Sequence, residues 1–133
     1  TDNTWIKVGM TSETYDTNAD YTAGTSRFTA PVDGRYLFCV NIMGVDNFGT
    51  TDAAVMYADL YVNNSHNSVF YRMKLDADYD FAELFDTLGV GGSSIIKLDA
   101  DDYVEVFINQ NSGANATMNY TVGYVDWQGE LLG

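Results

Sequence analysis

Residues 36–43, Tyr-Leu-Phe-Cys-Val-Asn-Ile-Met, constrain this chain more than any other stretch, because they follow a Pro31-Val32-Asp33-Gly34 turn and are apolar on both sides of a strand. Side chains alternate across a strand, so Tyr36, Phe38, Val40 and Ile42 share one face while Leu37, Cys39 and Met43 share the other. Burying the first set makes a core. Leaving the second set in water is unfavourable, since covering such a side chain contributes on the order of 1.5 to 3 kcal/mol. A second covering surface is therefore expected, and a closed assembly of identical copies supplies one.

The length of 133 residues fits one domain, here spanning 1–133, and suffices for a substantial core. Ten Tyr, seven Phe and twelve Gly against one Pro suit pleated strands joined by tight turns. Strands are expected near Trp5-Gly9, Arg27-Thr29, Gly34-Gly44, Ala54-Asn63, Ser68-Leu75, Ser94-Leu98, Tyr103-Gln110, Ala116-Val125 and Trp127-Leu132. Asn63-Asn64 is expected to close a hairpin lengthened by Ser65-His66-Asn67, and Gly89-Val90-Gly91-Gly92 to form a flexible loop. Helical spacing arises only in residues 76–88, where Phe81, Leu84, Phe85 and Leu88 fall on one helical face. The pattern predicts an all-β sandwich or barrel.

The formal net charge of −13 repels phosphate backbones and anionic lipid, which argues against nucleic acid and membrane surfaces and favours cations or basic proteins. No apolar run approaches the ~18 residues a helical membrane span needs, so membrane insertion is not expected. The single cysteine leaves the fold to packing rather than to an internal disulfide. Because the chain begins directly on strand-like sequence, it is expected to be the C-terminal head of a longer protein.

Motifs for catalysis are sparse. Gly-x-Ser-x-Gly, His-Glu-x-x-His and a phosphate-binding loop are all missing, and His66, the one histidine, stands in the polar run Asn63 to Ser68. A glycan hydrolase would need two Asp set ~5 to 9.5 Å apart across a cleft, which spacing alone does not supply. Two acidic groups, Asp76, Asp78 and Asp80 with Glu83, and Asp99, Asp101 and Asp102, offer the hard oxygens that calcium takes. Neither has the EF-hand spacing, and solvated turns are the ordinary reading of such clusters. Tyr15, Tyr21 and Tyr79, with Trp127, are the aromatic candidates for stacking on a sugar ring.

The run Arg27-Phe28-Thr29-Ala30-Pro31-Val32-Asp33-Gly34-Arg35-Tyr36-Leu37-Phe38, preceded by Tyr15-Asp16, Tyr21 and Gly24, resembles the signature of the complement C1q and tumour necrosis factor superfamily. Leu60-Tyr61-Val62-Asn63-Asn64 is similar to its hairpin ending in Asn-Gly, and Ile96-Lys97-Leu98 through Asp102-Tyr103-Val104 to its Leu-x-x-Gly-Asp-x-Val. Asn64 and Asp101 replace two glycines, both being types that enter left-handed backbone more readily than most. Trp127-Gln128-Gly129-Glu130-Leu131-Leu132 resembles the family's ending, with Glu130 in place of an aromatic residue.

The resemblance, closest to C1q-like domains of bacteria and bacteriophage fibres, implies a jelly roll of about ten antiparallel strands assembled as a homotrimer. Its trimer interface would use Leu37, Cys39, Met43, Trp127 and Leu131. Family members are binding heads rather than enzymes, and several bind calcium, the one ion expected here. The implied role is recognition of a host surface protein or glycan from a tail fibre or virion surface. The alternatives are a secreted bacterial protein, and a trimerisation or capsid-decoration domain without a receptor.

Overall fold

The computed structural model describes residues 3–13, 16–46, 55–74, 87–111, 117–118 and 125–133. All its regular structure is β: β1 (Ile6–Lys7), β2 (Tyr21–Thr22), β3 (Arg27–Thr29), β4 (Gly34–Asp46), β5 (Val55–Val62), β6 (Ser65–Lys74), β7 (Thr87–Leu98), β8 (Tyr103–Gln110), β9 (Thr117–Met118) and β10 (Val125–Leu131). Among the described residues there is no helix. The pairings are antiparallel and form two sheets. One runs β2-β3-β8-β5-β6, with β1 also on β8, and the other runs β10-β4-β7, with β9 also on β4.

The two-faced strand lies at the centre of the second sheet. Along β4 the residues Tyr36, Phe38, Val40 and Ile42 are buried, and β7 adds Ile96 and Leu98 from the same side. The first sheet answers with Phe28, Met56, Ala58, Leu60, Val104 and Val106. Phe28 meets Tyr36 and Phe38 edge to face across the gap, at ring separations of 5.6 and 5.4 Å. Rings from both sheets thus share one core, as in a β-sandwich, and offset aromatic contacts of this kind contribute beyond their buried area.

Local chemistry explains the turns. Asn63 and Asn64 both adopt positive φ (49° and 65°) and Val62 pairs directly with Ser65, giving the two-residue turn whose twist suits a hairpin. Ser65, His66 and Asn67 accordingly belong to β6, correcting the expectation that they lengthen the loop. Another left-handed residue, Asp101 (φ 69°), lets the chain reverse between β7 and β8. The Tyr36 hydroxyl donates to the Val32 carbonyl at 2.7 Å, fastening the proline turn to the strand that follows it.

Two glycines permit close approaches that no other residue allows. A Cβ on Gly129 would stand 2.8 Å from the Phe38 ring, and one on Gly91 would stand 2.7 Å from the Val40 carbonyl oxygen. Gly91 and Gly92 therefore lie within β7, paired with Asn41 and Val40, rather than in the loop their composition suggests. The helical spacing of 76–88 falls almost wholly outside the described residues, and its last two positions, Thr87 and Leu88, open β7.

Candidate functional site

With the inner faces committed to the core, function falls to the outer faces of the two sheets and to the turns. The two outer faces are built differently. On the β2-β3-β8-β5-β6 sheet the outward residues include Lys7, Arg27, Tyr57, Asp59, Tyr61, Tyr103, Glu105 and Phe107, by alternation and register. Glu105 is buried there (side chain 4% exposed), its Oε1 accepting from Lys7 Nζ at 3.0 Å and from Arg27 Nε and Nη2 at 3.2 and 3.1 Å. Arg27 also lies over the Tyr103 ring, 3.7 Å from its centroid. A carboxylate held by two cations, one of them on an aromatic face, satisfies its desolvation within the chain.

The other half of that face is aromatic. Trp5 reaches the rings of Tyr57, Tyr61 and His66, and Tyr61 stacks on Phe107 at 4.0 Å. Asp59, fully buried on this side of β5, has its carboxylate against His66 Nδ1. Burial, with the nearby Asp59 charge as the lesser cause, pushes the Tyr61 hydroxyl above its ordinary range. The sole histidine is therefore tied to a buried carboxylate on β5 instead of standing free in a loop. Only the strand register could have exposed that partnership, because alternation places Asp59 outward and gives no hint of its burial.

The outer face of the β10-β4-β7 sheet carries a simpler set, in cross-strand rows. Lys97 pairs with Arg35; Ile95 with Leu37 and Leu37 with Glu130; Ser93 with Cys39 and Cys39 with Gln128; Gly91 with Asn41 and Asn41 with Asp126. Leu37 is half-buried, Cys39 is exposed and Ile95 is 60% exposed. The β4–β7 register shifts between Ile42 and Val45, and the side chain of Met43, which lies there, is outside the described set.

Trp127 and Leu131, expected beside Leu37 and Cys39, face the opposite way. Trp127 pairs with Val40 and Leu131 with Tyr36, both inward residues, and the Trp127 ring stacks on Phe38 and meets Tyr21 edge-on. Tyr21, one of the proposed sugar-stacking residues, closes the margin of the core: its hydroxyl donates to the Met10 carbonyl at 2.8 Å. Desolvation there pushes the Tyr21 hydroxyl up. Tyr15 and Tyr79 lie outside the described residues.

The acidic turn 99–102 is occupied with its own backbone. Asp102 Oδ2 accepts from the Asp99 amide at 2.9 Å and Oδ1 from Asn63 Nδ2 at 2.6 Å, which hold its carboxyl below the usual 3.8, the Asn63 bond being the larger cause. Asp16 is used alike, accepting from the amides of Tyr21, Asp20 and Asn18, and its carboxyl is lowered chiefly by the Tyr21 bond. Among the described residues no three His, Cys, Asp or Glu side chains converge in a metal-binding group. Asp76, Asp78 and Asp80 lie outside the described residues.

No family model matches the chain, and no curated protein matches it at a significant level. Among the described residues no helix is long and apolar enough to cross a membrane.

Proposed function

We propose that this chain is a non-enzymatic C1q-like binding head that assembles as a homotrimer and recognises a host surface component, displayed on a bacteriophage tail fibre or virion surface. The observation that carries this reading is the bare outer face of the β10-β4-β7 sheet. That sheet contains the strand following the proline turn, and among the described residues its outward Cys39 and Ile95 are exposed while Leu37 is only half-buried.

The strand order supports a jelly roll. Sequence neighbours β3 and β4 lie in opposite sheets, as do β7 and β8, so the chain crosses between layers instead of completing one sheet and then the other. The left-handed Asn64 and Asp101, at the positions where the resemblance replaces glycine, support it further. A binding role without chemistry agrees with the polar groups described above, whose carboxylates are engaged in turns and ion pairs.

The test is to incubate the purified, labelled protein with bacterial cells and their isolated surface polysaccharides, and to follow both retention and chain cleavage. Saturable retention without cleavage is expected. Cleavage would replace the reading with an enzyme, and an assembled protein that is retained by neither would make it a trimerisation or decoration domain.

A further inference from the structure

Charge is distributed unevenly over this molecule, and the unevenness concerns the bare face. Four of the six Lys and Arg side chains are described: Lys7, Arg27, Arg35 and Lys97. Lys7 and Arg27 are spent on Glu105. Arg35 and Lys97 instead stand directly opposite each other across β4 and β7, both exposed, and among the described residues neither enters an ion pair. Like charges placed opposite one another on a sheet repel. In a chain of net charge −13, acids are plentiful and such an arrangement calls for a counter-charge from elsewhere.

The same face holds that counter-charge on its far side. Asp126 and Glu130 are exposed on β10, Glu130 level with the Leu37–Ile95 row and one row from Arg35 and Lys97. The described outward residues of these three strands thus carry two cations in one row across β4 and β7, two carboxylates along the β10 edge, and Leu37, Cys39 and Ile95 in the rows beside the cations. The described outward residues of these strands, Arg35, Lys97, Asp126 and Glu130, sum to zero formal charge on a strongly acidic molecule. This face is where one copy can approach another without the repulsion that the rest of the surface imposes.

Resting on the homotrimer reading, we infer that this face is complementary to itself, with Arg35 and Lys97 of one copy meeting the β10 carboxylates of the next, Glu130 foremost. The contact is between unlike parts of the face, so each copy offers both a cationic row and an anionic edge, the kind of contact that forms a ring when its rotation closes. The apolar strip supplies burial and the flanking charges set the register. Another basic protein seated on the face would leave Arg35 and Lys97 repelled rather than neutralised, which is why a second copy is the better occupant.

Light scattering and sedimentation of the purified protein across a concentration series test this, with near-ultraviolet circular dichroism to establish that each variant is folded. The wild type is expected to be a trimer. The variant R35E/K97E should dissociate at concentrations at least ~10 times higher than the wild type does, through like-charge repulsion across the contact. The milder R35Q/K97Q should weaken association in the same direction.

The fourfold exchange R35E/K97E/D126K/E130K, which leaves the net charge at −13, should restore the trimer. A wild-type trimer indifferent to R35E/K97E would overturn the inference and leave the trimer reading standing. Failure of the fourfold exchange to rescue a dissociated R35E/K97E would overturn the pairing as drawn. A wild type monomeric throughout would remove both.

Discussion

The two outward sheet faces of this protein solve the same problem by opposite means. On the β2-β3-β8-β5-β6 sheet, long side chains fold over the backbone: Arg27 and Lys7 close on a buried Glu105, and Trp5 brings its ring against His66, Tyr57 and Tyr61 beside a buried Asp59. On the β10-β4-β7 sheet, Ile95 is 60% exposed and Cys39 is an exposed free thiol. A face closed by its own residues needs no partner to be stable. A face that leaves an aliphatic side chain exposed, with a cation row that enters no ion pair among the described residues, is the one the proposed assembly would cover.

Five substitutions sharpen or break that contrast. Phe38→Ala removes the ring shared by both layers and should cost about 3–5 kcal/mol of unfolding free energy in urea titration, whichever outer face is considered. Next, Glu105→Ala should cost about 1.5–3 kcal/mol, discounted because Lys7 and Arg27 are over a third exposed and regain water once released. A loss under half a kcal/mol would show that the covered face is not held by its ion pairs.

Ile95→Ser, on the bare face, should change the unfolding of the dissociated chain by less than about 0.5 kcal/mol while weakening assembly. A large loss in the isolated chain would erase the distinction between the faces.

The smallest effect concerns acid. Asp102 and Asp16 have carboxyls lowered by hydrogen bonds, so the stability each confers is present above the unfolded value of 3.8 and is lost as pH falls through the lower folded value. Asp102→Asn and Asp16→Asn should each flatten the fall in melting temperature below about pH 4. Unaltered acid profiles would mean that these turns contribute nothing through their charge.

How much of this could be read from the residues differs between faces as well. Alternation along 36–42 fixes which side chains are buried, and Asn63-Asn64 announces its turn, because both are local matters of period and backbone preference. The Gly-rich run at 89–92 misleads, since composition marks flexibility whereas Gly91 is required by a close approach to Val40 on another strand. Trp127 misleads for a similar reason: its inward orientation follows from a register with Val40 that depends on chain 87 residues away. The Glu105 network joins residues 98 and 78 positions apart, a distance over which no motif spacing carries information.

The solution mass of the unmodified protein, measured by light scattering at micromolar concentration, tests the central claim most directly. Three chain masses, with Cys39 slow to react with a thiol reagent and fast in the dissociated R35E/K97E variant, is the predicted result. A single chain mass with Cys39 fully reactive at every concentration would contradict it, leaving an acidic β-protein whose bare face meets only water.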